Sequence, residues 1–255
     1  MSIKIKETTL LETKPKLLRG RSKALKELKQ SLKLTLLQKQ VLVGILLGDA
    51  HLSSQDKGKT YRLHVYQSEK HEAYTFHLYT IFKEWVLTPP TKQNRIYKTG
   101  LLQNKQGFMI SFKTISSPAF RFYAHNFYGD QIGLLSKKVP KILTRCLTAC
   151  GLAYWFMDDG SLKSKQTKAV YLNTQGFLLK DVELLCFVLN SKFGLKAKPV
   201  QKKKSNIQPS SEKKGYYYQI YIHAESYQLL NTLIKPYLIP EMLYKFPNFK
   251  HSLEI

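Results

Sequence analysis

The chain has 255 residues and is strongly basic, with 41 Lys plus Arg against 17 Asp plus Glu and a formal net charge of +24. Such an excess of positive charge attracts polyanions, of which nucleic acid is the commonest. The sequence has no apolar run near the ~20 residues that a membrane span needs, and its three cysteines are too few for a disulfide framework. We therefore expect a nucleic-acid-binding protein with reduced cysteines and no membrane partner.

The first half of the chain alternates helical and strand-like patterns. Ser22 and Thr35 stand at the starts of two helical segments, where a side-chain oxygen can cap a helix. The predicted elements, in order, are a basic arm over 1–22, a helix over 22–32, an apolar helix from 35 to 48, a strand over 60–67, a helix over 70–85, a hairpin over 94–113 and a helix from about 118.

The second half repeats this order of elements. Thr148 can cap an apolar helix that ends at Asp159, and Gly194 suits the left-handed stop of a later helix. The predicted elements are a helix over 148–159, a strand over 168–175, a helix over 179–194, a hairpin whose second arm spans 215–223 and a helix from about 226. Two copies of a helix-strand-strand-helix unit predict a pseudo-dimer within one chain.

Each of the two apolar helices ends on an aspartate, Asp49 in the first and Asp159 in the second. Burial in a core explains the apolar residues, but a carboxylate in the last turn faces the negative end of the helix dipole. If the helices pack together, with Gly44 and Gly48 allowing close approach, the two carboxylates meet. They would repel each other unless cations bridge them, and hard divalent ions prefer such oxygens. That arrangement suits two-metal phosphodiester hydrolysis.

The two helix ends, "LVGILLGDA" (42–50) and "LAYWFMDDG" (152–160), resemble the paired motifs of the LAGLIDADG homing endonucleases. Further segments resemble the monomeric two-motif type of that family, as in the yeast mitochondrial omega intron: "GKTY" (58–61), "WVLTPP" (85–90), "LNTQ" (172–175) and "IKPYLIPEMLYKFPN" (234–248). The resemblance implies an α+β fold of two pseudo-symmetric αββαββα repeats. Their antiparallel saddle-shaped sheets would lie over DNA, with the motif helices packed at the repeat interface.

On this resemblance the chain divides into three parts: a basic N-terminal arm and helix (1–34), a first repeat (35–145) and a second repeat (146–255). The resemblance also implies a Mg²⁺ cofactor, for which Mn²⁺ would substitute. Its metal ligands would be Asp49 and Asp159. The residues before them, Gly48 and Asp158, are further candidates, but we interpret Asp158 first as a structural residue or a modulator of charge.

Members of this family also use polar and basic residues around the metals to hold water and to stabilise the phosphorane. Gln67 follows Asp49 at nearly the distance at which Gln175 follows Asp159. Surface solvation is the alternative explanation for any lysine in so basic a chain. The catalytic candidates beside the two aspartates are Lys138, Lys245, Gln67 and Gln175.

Alternation along the strands puts polar and aromatic side chains on the face that would meet DNA. A two-stranded ribbon fits the major groove, where such side chains read base edges, while basic segments contact phosphates. An ordinary sheet with one wet face explains any single residue equally well, and the net charge favours DNA for the set. The DNA-binding candidates are Arg62, His64, Tyr66, Lys113, Lys196, Lys198, Tyr217, Gln219, Tyr221 and His223.

The resemblance implies a monomeric endonuclease that makes a double-strand break in a long, asymmetric DNA site. An intron RNA maturase of the same fold and a non-catalytic DNA-binding regulator are the alternatives, and the intact pair of aspartates favours the nuclease. The N-terminus has no apolar signal-peptide core, and Glu7 and Glu12 argue against an acid-poor transit peptide. By resemblance we expect the protein in a mitochondrion or chloroplast.

Overall fold

Two four-stranded antiparallel sheets with the same internal order form the framework of the protein. The computed structural model describes residues 22–96, 106–128, 137–203 and 215–246. Its strands in these ranges are β1 (His51–Ser53), β2 (Arg62–Ser68), β3 (Thr91–Ile96), β4 (Gln106–Lys113), β5 (Gly160–Leu162), β6 (Val170–Leu172), β7 (Ala197–Lys203) and β8 (Tyr216–Ile222). The sheet orders are β1-β2-β4-β3 and β5-β6-β8-β7.

The helices pack against these sheets and between them. In the described ranges they are α1 (Lys23–Ser31), α2 (Leu36–Leu47), α3 (Glu72–Phe82), α4 (Arg121–Tyr128), α5 (Leu143–Cys146), α6 (Ala149–Asp159), α7 (Leu179–Phe193) and α8 (Tyr227–Ile234). The two halves therefore share one order of helices and antiparallel strands. The expected α+β fold of two similar repeats is confirmed.

The predicted helix caps are present. Ser22 accepts a hydrogen bond from the N–H of Leu25, and Thr35 forms a capping box with Gln38. Thr148 accepts from the N–H of Gly151, and Gly194 ends α7 with φ +68°. Local side-chain chemistry thus defines where the main helices begin and end.

The structure departs from the sequence prediction at the short strands. The strand expected over 168–175 is confined to Val170–Leu172, and Asn173 directly after it donates both its backbone N–H and its side-chain amide to the carbonyl oxygen of Asp159. The three-residue strands β1 and β5 were not expected, since three residues show too little alternation to be recognised. The predicted basic arm falls almost wholly on residues 1–21, outside the described residues.

Helices α2 and α6 pack against each other in the centre of the molecule, and most of their side chains are buried. A Cβ at Gly44 would lie 2.2 Å from the carbonyl oxygen of Gly151, and one at Gly151 would lie 3.0 Å from that of Gln40. The absence of side chains at these two glycines lets the helix backbones nearly touch. Among the described helices, none has the length and hydropathy to cross a bilayer.

Candidate active site

The ends of α2 and α6 meet at one point between the two sheets. The N–H of Asp49 donates to Asp158 Oδ2 over 3.1 Å, so the last turns of the two helices are joined directly. A Cβ at Gly48 would lie 2.2 Å from the same Oδ2. Glycine at position 48 therefore makes the space that the Asp158 carboxyl occupies.

Asp158 belongs to the helix interface. Beside the N–H of Asp49, its carboxyl is hydrogen-bonded to the side chain of Tyr74, and Gln67 Nε2 lies 3.4 Å from Oδ1. Burial, then repulsion from Asp49 and Asp159, raises its pKa well above the ordinary value. The carboxyl is thus held among protein groups, whereas the side chain of Asp49 is exposed.

Asp159 is held from two sides. Trp155 Nε1, one turn earlier on α6, donates to Oδ2 over 3.1 Å, and the amide of Asn173 donates to the main-chain oxygen over 2.8 Å. Burial, then repulsion from Asp49, raises the pKa of Asp159 to about 7. The repulsion shows that negative charge is crowded at the meeting point of the helices.

Gln67, one of the predicted catalytic residues, contacts the carboxylate of Asp49. On β2, Leu63, Val65 and Gln67 alternate toward the buried side, so the amide of Gln67 points at the helix ends. Its Nε2 donates to Asp49 Oδ2 over 2.9 Å. The strand period thereby brings a polar side chain into a buried position beside the acidic cluster.

Two half-buried lysines flank the acidic cluster, and one differs from the sequence prediction. Lys245 Nζ donates to the carbonyl oxygen of Asp158 over 2.6 Å, and Lys137 Nζ donates to that of Gly48. Burial lowers the pKa of both ammonium groups, while the nearby aspartates oppose that shift. Lys138, the predicted partner of Lys245, is exposed, and its backbone N–H bonds Phe127.

The spacing signal could have selected Lys137. The number of residues from Asp49 to Lys137 matches the number from Asp159 to Lys245 more closely than does the number from Asp49 to Lys138. Adjacent lysines alternate in direction along an extended segment, so only one of the two can face the acidic cluster. The structure puts Lys137 there.

In the second half, Asn173 occupies the position that the sequence prediction gave to Gln175. Gln175 lies exposed in the turn after β6. The amide of Asn173 contacts Asp159, and its Oδ1 accepts a hydrogen bond from Gln219 Nε2 over 2.6 Å. Gln219, predicted to contact DNA, is buried and holds the amide of Asn173 against the main chain of Asp159.

The open face of the first sheet leads away from Asp49 and carries the predicted DNA contacts His64, Tyr66 and Lys113. His64 and Lys113 stand in one row with His51 across β1, β2 and β4, and the two imidazole centroids are 4.6 Å apart. Burial, followed by nearby positive charges, lowers the pKa of His64 to about 4, so its ring is neutral at physiological pH. Next to it, Tyr66 lies under the guanidinium of Arg95.

Arg62 stands at the outer end of the same face. Its Nε donates to Ser116 Oγ over 3.2 Å, and a terminal nitrogen donates to Gln55 Oε1. The cleft beside it is lined by Arg62, Gln93 and Lys113, and the cleft beside Asp49 shares Gln93 and Lys113. The two clefts are therefore continuous along the sheet.

The open face of the second sheet alternates lysines and tyrosines. Lys198 pairs with Tyr221 across β7 and β8, Lys202 pairs with Tyr217, and the Lys202 ammonium lies 4.7 Å from the ring centroid of Tyr171. Such a surface combines positive charge with flat aromatic rings.

Two other predicted contacts lie at the edge of this face. Lys196 precedes β7 and its ammonium is 2.8 Å from Glu225 Oε2, so it is engaged in an ion pair. His223 follows β8, with its ring centroid 4.8 Å from that of Tyr221. The basic surface of the second half is therefore formed mainly by the rows of lysines and tyrosines, and less by Lys196 and His223.

Several known proteins are similar to this chain in sequence, and a solved structure is similar to it in fold. The model of the LAGLIDADG DNA endonuclease family matches residues 39–230. Probable intron-encoded endonuclease 1 of Wickerhamomyces canadensis is 33% identical over 232 residues, which are 88% of this chain and 90% of that protein. The DNA endonuclease I-ChuI of Chlamydomonas applanata is 29% identical, over 83% of this chain and 95% of that protein.

A solved structure and a second kind of relative complete the comparison. The structure of the homing endonuclease I-WcaI bound to its DNA recognition sequence matches with a TM-score of 0.75 and 31% identity, over 91% of this chain and 96% of that one. Cytochrome b mRNA maturase bI2 of Saccharomyces cerevisiae is 28% identical, over 82% of this chain and 47% of that protein.

Proposed function

The chain belongs to the LAGLIDADG DNA endonuclease family, and we propose that it is a homing endonuclease that cuts both strands of a long, asymmetric DNA site. The observation that carries this proposal is the pair of aspartates, Asp49 and Asp159, at equivalent ends of two packed helices. The net charge of +24 and the basic open faces of both sheets supply the attraction to DNA.

In this proposal the two sheets bind one duplex together. Rows such as His64 with Lys113 and Lys198 with Tyr221 lie along base edges in the major groove. Exposed lysines beside them contact phosphates, which set the register of the protein on the duplex without reading sequence. Because the two faces carry different side chains, the preferred site is asymmetric.

Asp49 and Asp159 are the residues that would hold a divalent cation, Mg²⁺ or Mn²⁺. Carboxylate oxygens are hard donors, and the repulsion that raises the pKa of Asp159 is the kind that a cation relieves. In the described ranges, no group of three or more His, Cys, Asp or Glu side chains could hold a metal by itself. Oxygens of water and of DNA phosphates would therefore complete the coordination. A bound cation stabilises charge on phosphate oxygens and promotes deprotonation of water.

The side chains around the aspartates then have separate tasks. Lys137 and Lys245 hold positive charge beside the scissile phosphates, where it stabilises the charge that develops during attack. Gln67 and Asn173 hold the first and second acidic positions in fixed orientations through their amides. Asp158 joins the two helix ends instead of facing the substrate.

Cleavage of a random-site library tests this function. The protein is incubated with the library and Mg²⁺, and the cut ends are sequenced. We expect one long asymmetric site with short 3′ overhangs. Asp49→Asn and Asp159→Asn should each bind that site with wild-type affinity and fail to make a double-strand break. Normal cutting by either variant would contradict the site, and cutting without sequence preference would contradict the function.

An intron RNA maturase is the second candidate, because a cytochrome b mRNA maturase is 28% identical over 82% of this chain. Splicing of the host intron with and without the protein, run beside the cleavage assay, separates the two activities. Both aspartates are intact, which argues against a purely non-catalytic regulator.

Because both motif helices lie in one chain, we propose that the protein acts as a monomer. We also propose that it acts in the organelle whose genome carries the intron.

A further inference from the structure

We propose that His71 is a positioning residue that fixes the amide of Gln67 against Asp49, and that Tyr244 of the second half holds His71 in the required state. The inference rests on the proposed role of Asp49. It concerns a side chain that sequence reasoning did not select, and it makes the first half of the site depend on a residue from the second half.

The geometry is a chain of hydrogen bonds that leads to the carboxylate. His71 Nδ1 is 3.3 Å from Gln67 Oε1, and Gln67 Nε2 is 2.9 Å from Asp49 Oδ2. On the other side of the ring, His71 Nε2 is 3.1 Å from the hydroxyl oxygen of Tyr244. Tyr244 directly precedes Lys245, whose ammonium contacts the end of α6.

The direction of each bond follows from which groups can donate. Gln67 must turn its NH₂ toward Asp49, because a carboxylate only accepts hydrogen bonds. Its oxygen therefore faces His71, and Nδ1 of His71 must carry the proton. Nε2 is then an acceptor and accepts a hydrogen bond from the hydroxyl group of Tyr244. Burial and the nearby Lys245 lower the pKa of His71, which favours the neutral ring that this arrangement needs.

Loss of His71 leaves the amide oxygen of Gln67 without this donor, so the side chain of Gln67 can rotate away from Asp49. The carboxyl groups of Asp49 and Asp158 still disfavour a reversed amide, because its oxygen would then face theirs. Asp49 would lose a hydrogen bond and its fixed orientation. His71 thus acts on the carboxylate through Gln67 and does not itself reach it.

The hydrogen bonds described for Asp159 come from its own half. Trp155 on α6 donates to the Asp159 carboxyl over 3.1 Å, and Asn173, which accepts a bond from Gln219, donates to the main-chain oxygen of Asp159. The orientation of the second carboxylate therefore does not depend on His71. Loss of His71 should slow one DNA strand more than the other, because only the Asp49 side loses its orientation.

Single-turnover cleavage of a cognate duplex with a different fluorophore on each strand measures this asymmetry. We expect His71→Phe to slow one strand by ~10-fold or more, and Gln67→Ala to slow the same strand. Asn places its amide nitrogen near the position of Nδ1, whereas Gln places it near Nε2. His71→Asn should therefore recover most of the rate, and His71→Gln should not.

His77→Phe is the matched control. His71 directly precedes α3 and His77 lies on it. Nε2 of His77 is 2.7 Å from the hydroxyl of Tyr154, so the variant also loses a bond from a histidine to a tyrosine of the other half. It should leave the ratio of the two strand rates unchanged. Melting temperatures of all variants show the structural cost of each change separately.

Two results would overturn the proposal: an unchanged ratio of the two strand rates in His71→Phe, or rescue by Gln in place of Asn. Failure of the proposed function has a different signature. If Asp49→Asn still makes double-strand breaks, the site assignment itself is wrong, whatever the His71 variants do.

Discussion

Lys137 donates a hydrogen bond from its ammonium group to the carbonyl oxygen of Gly48, the residue immediately before Asp49. Lys245 makes the corresponding bond to Asp158, the residue immediately before Asp159. Each carboxylate therefore has a half-buried ammonium group bound one peptide unit away. This relationship links the end of each half of the chain to the helix that begins it.

Replacing Lys137 with Met should reduce the cleavage rate and leave DNA affinity nearly unchanged. The methionine keeps the length of the side chain and removes the charge that stabilises the reacting phosphate, a loss worth about 10²-fold in rate. Single-turnover rates and binding isotherms measure the two quantities. Lys138→Met is the matched control, because Lys138 is exposed and adjacent in sequence. A larger rate loss at position 138 than at 137 would contradict the assignment.

Replacing Asp159 with Asn should stabilise the protein at alkaline pH. The folded pKa of Asp159, about 7, lies above the unfolded value of about 4. The native chain therefore holds this proton over a wider pH range, and its stability falls as pH rises from about 4 through about 7. The variant avoids this loss, so we expect it to melt several degrees above the wild type at pH 8 and nearly equally at pH 4.

Asp56→Asn provides a control of opposite sign. Hydrogen bonds from the Thr60 hydroxyl and N–H lower the pKa of Asp56 to about 2. This carboxylate contributes stability above the unfolded pKa and loses it as pH falls toward 2. Asp56→Asn should therefore melt below the wild type at pH 8.

Mg²⁺ should raise the melting temperature of the wild type more than that of Asp159→Asn, and equal shifts would argue against a cation at Asp159.

Replacing Gly44 with Ala should destabilise the interface between α2 and α6. The added Cβ would lie 2.2 Å from the carbonyl oxygen of Gly151, so the helices must separate, and overpacking of this kind costs about 1–3 kcal/mol or more. Thermal melting measures the loss. Gly176→Ala is the control, because nothing lies within 4 Å of a Cβ there. Similar melting temperatures for the two variants would show that the helices are not held at this point.

Replacing Lys29 with Ala should weaken DNA binding and lower its salt dependence. Leu25 and Lys29 share one side of α1 and line the cleft that continues the open face of the first sheet. If Lys29 contacts a phosphate, its loss reduces the slope of log K against log salt by about one. Lys23→Ala is the control, since Lys23 points away from the cleft side of the same helix and pairs with Glu27. An equal loss in both variants would indicate a diffuse charge effect.

Much of the fold was predictable because its signals are local. Ser22, Thr35 and Thr148 cap helices through side-chain bonds three residues along the chain, and alternation defined β2, β4 and β8. The aspartates at the two helix ends were recognisable for the same reason, since each contradicts the helix dipole beside it. The three-residue strands β1 and β5 were not predicted, because they carry less than two periods of alternation, and β6 was predicted longer than it is.

The amino-acid sequence by itself determined the two acidic helix ends, the glycines that let them meet, the basic charge and the family that these features indicate. Tertiary structure alone decided which polar side chains reach the acidic cluster: Lys137 instead of Lys138, Asn173 instead of Gln175, and His71 with Tyr244. The physical reason is distance along the chain. Helix caps and strand periods depend on neighbours a few residues away, whereas these contacts join residues that come together only when the two halves pack.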